Sequence, residues 1–575
     1  MKTLLCAVNS KYIHSSPAVH SIKKACEHYS RMYSSETGDI CVREYSVNDA
    51  YEAVLYGIVS EIPDCVCFSV YIWNVKYISS LCLDVRKMLP GACIVIGGPE
   101  VSFGIDEKFF PNESFDYVSA GEGERAMFCL LSEIYAKRNN RCFIPPEHFG
   151  YEKKGKEVSA AEIEDLAELP FIYDTGNLSC FENRIIYYET SRGCPFNCAY
   201  CLSGAESRVS FLSIERVLAE IDFFNDNKVK QVKFVDRTFN CNQKRAKNIV
   251  RHIISLEECK TNFHFEVGAD LFDDEFTELL SKAPKGRIQI EAGIQSLYEP
   301  ALNACCRKMN LEKCFKNLQR IIEAGNINVH TDLIAGLPYE TAEIFKYSFN
   351  RTYSLKSHQL QLGFLKLLRG APLNSMTDEH GYVFSDNPPY EIVRNNYITT
   401  AELLKLKETE NVLERFYNSG HFAYTVDEIE KNYSTPFEMF REIAEFAVKR
   451  KCVFKAMSMQ QSFDLLNDFI TEKFAHCEIC DSEIGNGYMD KLRRLMLLDY
   501  FSSNKSDLPP ESLKNLWTPE RVIKYKNSDI MKEYGIEGFK NSRLRVIGGE
   551  IFIFDFSDVN PVTGRFKYIK TKYTV

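Results

Sequence analysis

The stretch YETSRGCPFNCAYCLSG, residues 188–204, sets Cys194, Cys198 and Cys201 in a C-x3-C-x2-C spacing directly after the β-branched and aromatic run RIIYYET. Thiolates are soft ligands. Three from one loop can hold three irons of a four-iron cluster and leave the fourth without a protein ligand, open to a substrate or cofactor. A structural zinc ion asks for a fourth Cys or His at matching spacing. The next cysteine, Cys241, lies forty residues on. The pair Cys477 and Cys480, preceded by His476, lies in the distant tail, where two cysteines alone read more readily as unliganded thiols than as a metal site.

Outward from this loop the pattern is regular. The runs IIYYET, QVKFVD, FHFEVGA, RIQIEAG, NVHTDLIAG and LQLGFLKLL read as strands, separated by helical segments such as SIERVLAEIDFFNDN and TAEIFKYSFNRTYSL. Six such units over 184–395 predict a partial (β/α)6 barrel with function at the strand C-termini, and the cysteine loop follows the first strand. Upstream, over 1–140, KTLLCAVN, DCVCFSVYIW, ACIVIGG and FDYVSAG alternate with the helical PAVHSIKKACEHYS and VKYISSLCLDVRKML, which predicts a doubly wound parallel α/β sheet.

Ligands of such sheets bind outside the carboxyl ends of the strands. Those ends carry Asn9 and Ser10, then SVYIWN (69–74), GGPEVS (97–102) and GEGE (121–124). Any one glycine pair could be a tight turn; four such ends on one rim point to a site where backbone approaches a large ligand. The proline-bearing, charged segment 141–183 reads as a linker. The region 396–575 reads as mainly helical, with RLRVIGGEIFIFDFSD resembling a hairpin.

A chain of 575 residues is too long for one core. With 70 basic and 79 acidic side chains its net charge is −9, which disfavours gripping nucleic acid by its phosphates. No window approaches the ~20 apolar residues that span a bilayer, and the start MKTLLCAVNSKYIHSS has only a short apolar run, so a cytoplasmic protein without membrane attachment is expected. Most of its 21 cysteines, Cys65, Cys67 and Cys93 among them, are then buried apolar thiols and not a disulfide framework.

Cys194, Cys198, Tyr200 and Cys201 match every position of C-x3-C-x-aromatic-C, and here the sequence resembles the radical S-adenosylmethionine superfamily. The resemblance implies a [4Fe-4S] cluster whose unique iron binds the amino and carboxylate groups of S-adenosylmethionine (SAM). It implies reductive cleavage to a 5′-deoxyadenosyl radical, the electron coming from a low-potential donor such as flavodoxin or ferredoxin. It also implies SAM contacts from Tyr200, from Asp236 and Asn240 in FVDRTFN, from Glu266 in FEVGAD, from Gln295 beside Ser296 in EAGIQS, and from Ile334 and Gly336 in DLIAGLPYET. The usual double-glycine motif for the amino group is not evident. Each acid alone would read as an exposed loop charge.

The N-terminal region, with SVYIWN, IGGPEVS and AGEGE, looks like the cobalamin-binding domain of B12-dependent radical SAM enzymes, and DLAELPFIYD ahead of the cluster domain is typical of them. This likeness implies that Ser69, Tyr71, Ile72, Trp73 and Asn74 face the corrin. Gly97, Gly98, Pro99, Glu100, Gly121, Glu122 and Gly123 would border the cobalamin as well. Proteins that replace the lower cobalt ligand carry D-x-H-x-x-G; here YIHSSP keeps only His14, with Tyr12 in place of Asp and Pro17 in place of Gly. Base-off cobalamin without a protein nitrogen ligand is therefore expected.

The implied reaction is methylation of an unactivated carbon, with rearrangement or cyclisation without methyl transfer as the alternative. A methylthiotransferase would need three further cysteines at ligand positions of the N-terminal domain, and Cys6, Cys65 and Cys93 sit within strands. A non-catalytic cobalamin carrier leaves the cluster motif unexplained. Joint action of the two cofactors requires the rim with Tyr71 to Asn74 and Gly97 to Glu100 to face the loop of Cys194, Cys198 and Cys201. The substrate is not legible.

Overall fold

The computed structural model describes residues 1–205, 208–474, 483–516 and 541–571, and divides into two compact units. The first comprises Met1–Leu271, Ala304–Arg307 and Leu365–Val393; the second comprises Phe272–Asn303, Lys308–Phe364 and Arg394–Val575.

In the first unit, β1 (Lys2–Asn9), β2 (Asp39–Ser46), β3 (Cys65–Ser69), β4 (Cys93–Gly97), β5 (Tyr117–Ser119), β6 (Glu152–Lys154) and β7 (Glu157–Ser159) form one sheet in the order β2-β1-β3-β4-β5-β7-β6. β1 is buried from Thr3 to Asn9, as a central strand covered on both faces must be, and hence reads as a continuous apolar run. The helix Pro17–Met32 starts with Pro17 where a missing N–H costs nothing.

Two parts of this sheet were not expected. β2 pairs in parallel with β1, yet DICVREYS shows no apolar run because an edge strand keeps half its side chains in water. The segment 141–183 is more than a linker: β7 pairs in parallel with β5, and the exposed, charged β6 folds back antiparallel on β7. Lysines and glutamates on the outermost strand are the usual means of blunting a sheet edge.

The same unit holds a second parallel ladder of β8 (Ile186–Tyr188), β11 (Gln231–Phe234) and β12 (Asn262–Val267). Between β8 and β11 a two-residue antiparallel pair, β9 (Ser191–Arg192) with β10 (Ser210–Phe211), closes the base of the cysteine loop. The helices Ile214–Asp226 and Gln243–Ser255 start at Ser213 and Asn242, whose side chains accept from the N–H groups of Arg216 and Arg245.

In the second unit β13 (Ile288–Gln295), β14 (Asn328–Ala335) and β15 (Gln359–Phe364) are parallel, with helices Leu311–Ala324 and Ala342–Tyr353 as crossovers. β13 and β14 alternate buried and half-buried residues along their length. Each unit thus carries three parallel strands with their crossover helices. Helices Thr400–Leu413, Ala423–Glu430, Pro436–Lys449, Met459–Phe474 and Glu483–Ser503 follow, the first opened by a Thr399/Glu402 capping box. The terminal hairpin, Ser542–Ile547 with Glu550–Val559, gains a third antiparallel strand, Phe566–Thr571. His476, Cys477 and Cys480 lie outside the described residues. Among those described, no helix is long and apolar enough to cross a membrane.

Candidate active site

The cysteine loop is built by its neighbours. At the end of β11 the buried Asp236 carboxylate accepts hydrogen bonds from Thr190 N (2.7 Å), Ser191 N (3.0 Å) and the Thr190 hydroxyl (2.5 Å), fixing the chain where it leaves β8. Burial pushes its pKa up to about 6, against the pull of those donors. Gly193 has φ +90°, and a Cβ there would stand 1.9 Å from the Arg208 carbonyl oxygen, so only glycine lets the loop pass. Ala199 N donates to Cys305 O (2.9 Å), and Leu373 N donates to Ala199 O (2.8 Å).

Cys194 and Cys198 are buried and Cys201 is half-buried. The Thr238 hydroxyl lies 3.8 Å from Cys194 Sγ, and Arg307 donates to Cys198 Sγ at 3.7 Å. Tyr200 keeps its hydroxyl buried, and burial raises its pKa while the Arg307 charge opposes the rise. Among the described residues no three His, Cys, Asp or Glu side chains converge as the ligands of a single ion would. A cubane spreads its thiolates over three irons, so three thiols along one loop beside a cation suit a cluster better than a mononuclear site.

A cavity of about 610 Å³, within the ~300–1,000 Å³ usual for ligand sites, opens at the carboxyl rim of the seven-stranded sheet. Ser69, Tyr71, Gly97, Gly98 and Pro99 line it, as do Gly121, Glu122 and Gly123. Its facing wall includes Gly193, Leu202 and Ser203 of the cysteine loop and Arg237 after β11. Gly98 has φ +111°, and a Cβ there would meet Val70 O at 2.6 Å, so this turn keeps the rim free of side chain. An open, glycine-bordered rim suits a large cofactor such as cobalamin.

Four of the rim residues named from the sequence do not line this cavity. Asn74 is buried as a brace: its amide donates to Val8 O (2.9 Å) and Ser69 O (3.0 Å), and its oxygen accepts from Tyr71 N (2.8 Å). Trp73 stacks on Tyr71, with ring centroids 4.4 Å apart, and donates to Val8 O. Glu100 accepts from the Tyr390 hydroxyl. Ile72 is half-buried outside the cavity lining. His14 also stands apart from the lining, its Nδ1 2.5 Å from the Tyr187 hydroxyl; burial, then Lys11 and Lys233, lower its pKa.

Sequence reading missed the charges that join rim to loop. Arg192 forms a two-point pair with Glu189 (3.0 and 2.8 Å) and reaches Glu124 (2.9 Å) and Glu122 (3.1 Å). Ser21 donates to Glu124, and Ile163 N to Glu122. Burial raises the Glu122 pKa, whereas Arg192 and Ser21 hold Glu124 low despite its burial. The arginine is legible only as the neighbour of Cys194; its partners meet it through the fold.

Of the remaining expected SAM residues, Asn240 is buried and exchanges hydrogen bonds with Gly268 N (2.9 Å) and O (2.8 Å), tying the turn after β11 to the end of β12. Glu266 pairs with Lys233 at 3.2 Å. In the second unit Gln295 ends β13 at φ +70°, and its buried amide oxygen has no hydrogen-bond partner among the described residues. Ile334 is half-buried on β14, and Gly336 O accepts from Asn395 (3.0 Å). After β13, the Ser296 hydroxyl donates to Glu340 at 2.5 Å, and Ser348 accepts from Leu297 N.

Three family models match the chain: B12 binding domain over residues 4–130, Radical SAM superfamily over 188–351, and Protein of unknown function (DUF4080) over 378–548. Among curated proteins it is similar to the cobalamin-dependent radical SAM methyltransferase TokK of Streptomyces tokunonensis, 26% identical over 342 residues, covering 56% of this chain and 49% of that protein. It is likewise similar to the 2-(S-pantetheinyl)-carbapenam-3-carboxylate methyltransferase of Streptantibioticus cattleyicolor, 26% identical over 354 residues, covering 58% and 51%. The chain thus spans about half the length of these curated relatives. The cobalamin-dependent radical enzyme OxsB, solved with aqua-cobalamin and SAM bound, superposes with TM-score 0.54 at 14% identity, covering 94% of this chain and 82% of that one. The likeness there is one of fold.

Proposed function

We propose, from the premise that this chain belongs to the B12-binding radical S-adenosylmethionine enzymes, that it methylates an unactivated carbon of a substrate held in the cavity of the first unit. The observation that carries the reading is that one cavity is bordered both by the glycine rim of the N-terminal sheet and by Gly193, Leu202 and Ser203 of the cysteine loop. When bound, the cluster with SAM supplies hydrogen abstraction from the substrate carbon, and cobalamin supplies the methyl group.

The chain's own residues have four tasks in this reading. Cys194, Cys198 and Cys201 would hold the cluster, with Arg307 donating to Cys198 Sγ. Tyr200, Glu266, Gln295, Ile334 and Gly336 hold SAM, while Asp236 and Asn240 serve it indirectly by fixing the turns around the loop. Ser69, Tyr71, Gly97, Gly98, Pro99, Gly121, Glu122 and Gly123 would hold cobalamin, and His14 stands outside that lining. The apolar part of the wall, with Leu202 and Phe103, excludes water from the reacting carbon. A low-potential flavodoxin or ferredoxin of the cytoplasm supplies the electron.

Anaerobic reconstitution tests this directly. The protein is expected to hold about four irons per chain, to bind hydroxocobalamin, to convert SAM to 5′-deoxyadenosine, and to move a deuterated methyl group from SAM to its bound cobalamin. Cys198→Ala is expected to lose the charge-transfer absorption and the cleavage of SAM. A Cys198→Ala protein with full iron content and undiminished cleavage would overturn the cluster assignment. Cleavage without labelled methyl transfer would turn the reading to rearrangement.

A further inference from the structure

The cavity is lined by two arginines in opposite circumstances. Arg192 is enclosed by Glu122, Glu124 and Glu189. Arg237 lies exposed on the wall, and its side chain makes no hydrogen bond or ion pair with any described residue; its carbonyl accepts from the Thr238 hydroxyl. Chain geometry decides where it points. Asp236 turns to Thr190 and Ser191, and Thr238 turns to Cys194, both towards the cysteine loop. Arg237 stands between them in the turn that follows β11, and it lines the cavity. Its charge acts on the Tyr71 phenol of the opposing rim, where with the Ser69 hydrogen bond it offsets part of the rise that burial imposes.

An unpaired guanidinium in a recess is a receptor for a planar anion. Its rigid fork matches a carboxylate in two parallel hydrogen bonds. Phe103 and Leu202 line the same cavity and offer an apolar surface. We propose that Arg237 anchors a carboxylate of the substrate, whose apolar body lies against Phe103 and against Leu202 of the cysteine loop. The proposal rests on the methyl-transfer reading and narrows its substrate class to carboxylic acids with an apolar or aromatic body.

The test uses the full chain loaded with cobalamin and iron–sulfur cluster, and the probe pair 4-fluorobenzoate and 4-fluorobenzamide, followed by ligand-observed 19F NMR. Arg237→Gln is expected to weaken 4-fluorobenzoate by about tenfold or more, the scale of one lost charge-assisted fork, and to leave 4-fluorobenzamide within about twofold. Arg237→Lys, which keeps the charge but not the fork, should fall between. Equal benzoate affinity in wild type and Arg237→Gln overturns the proposal, as does absence of benzoate binding to the wild type. The affinities for SAM and hydroxocobalamin are measured on the same variants. A tenfold loss of either would put a cofactor's anion on Arg237 and also overturn it. Failure of the wild type to cleave SAM would instead strike the methyl-transfer reading, since the benzoate titration does not depend on turnover.

Discussion

Gly193 shows how much of the loop rests on one missing methyl. A left-handed φ costs a non-glycine residue ~1–2 kcal/mol, and here the added Cβ would also overlap the Arg208 carbonyl. Gly193→Ala should therefore displace the loop that carries Cys194. Reconstituted iron is expected to fall below about half of the roughly four per chain, while hydroxocobalamin titrations stay within a few-fold of wild type. Full iron loading in that variant would show that the loop tolerates the shift. The cysteine spacing was readable because all three ligands lie within eight residues. Arg307, more than a hundred residues from Cys198, carries no local signal, and nothing in VDRTFN reveals that Asp236 turns inward to the loop backbone.

At the scale of elements, long-range hydrogen bonds do what short motifs cannot. Glu340, just after β14, receives the Ser296 hydroxyl from the end of β13 and holds one carboxyl oxygen buried without a hydrogen-bond partner among the described residues. Burial pushes its pKa from 4.5 up to about 8. A carboxyl raised in this way binds its proton more tightly folded than unfolded. Its contribution to stability is fully present below the unfolded value and is lost as pH rises through about 8, at no more than about 1.4 kcal/mol per pH unit. Glu340→Gln removes the titration, so its melting temperature should drop less than that of wild type between pH 6 and pH 8. Parallel curves would refute the assignment. Strands buried on both faces, such as β1, announce themselves in sequence as apolar runs. The edge strand β2 and the β6–β7 hairpin do not, because water on their outer side removes the constraint that makes a strand legible.

For the molecule as a whole, the decisive junction is the one between the cobalamin-type rim and the cysteine loop, and Arg192 sits in it with three carboxylates. Removing the arginine leaves the buried Glu124 and the half-buried Glu122 and Glu189 to repel one another without their cation. Arg192→Gln should loosen the spacing of the two sites more than it weakens either. Pulsed-dipolar EPR between paramagnetic cobalt and the reduced cluster is expected to give one narrow distance in wild type and a broadened distribution in the variant, partly narrowed again in Arg192→Lys. An unchanged distribution would remove Arg192 from that role.

The first unit is assembled from three separate stretches of chain. Ala199, between two cluster thiols, is gripped by Cys305 and Leu373, and Cys198 by Arg307. A ribosome making this protein therefore exposes the three thiols long before their supports exist: the roughly 190 residues from Cys201 to Val393 take about 10–40 s to emerge at ~5–20 residues per second. Throughout that interval the loop is an unsupported, oxidisable thiol triplet. A nonsense or frameshift lesion between residues 201 and 305 therefore leaves a product that keeps the whole cysteine motif but lacks Cys305, Arg307 and Leu373, which seat it.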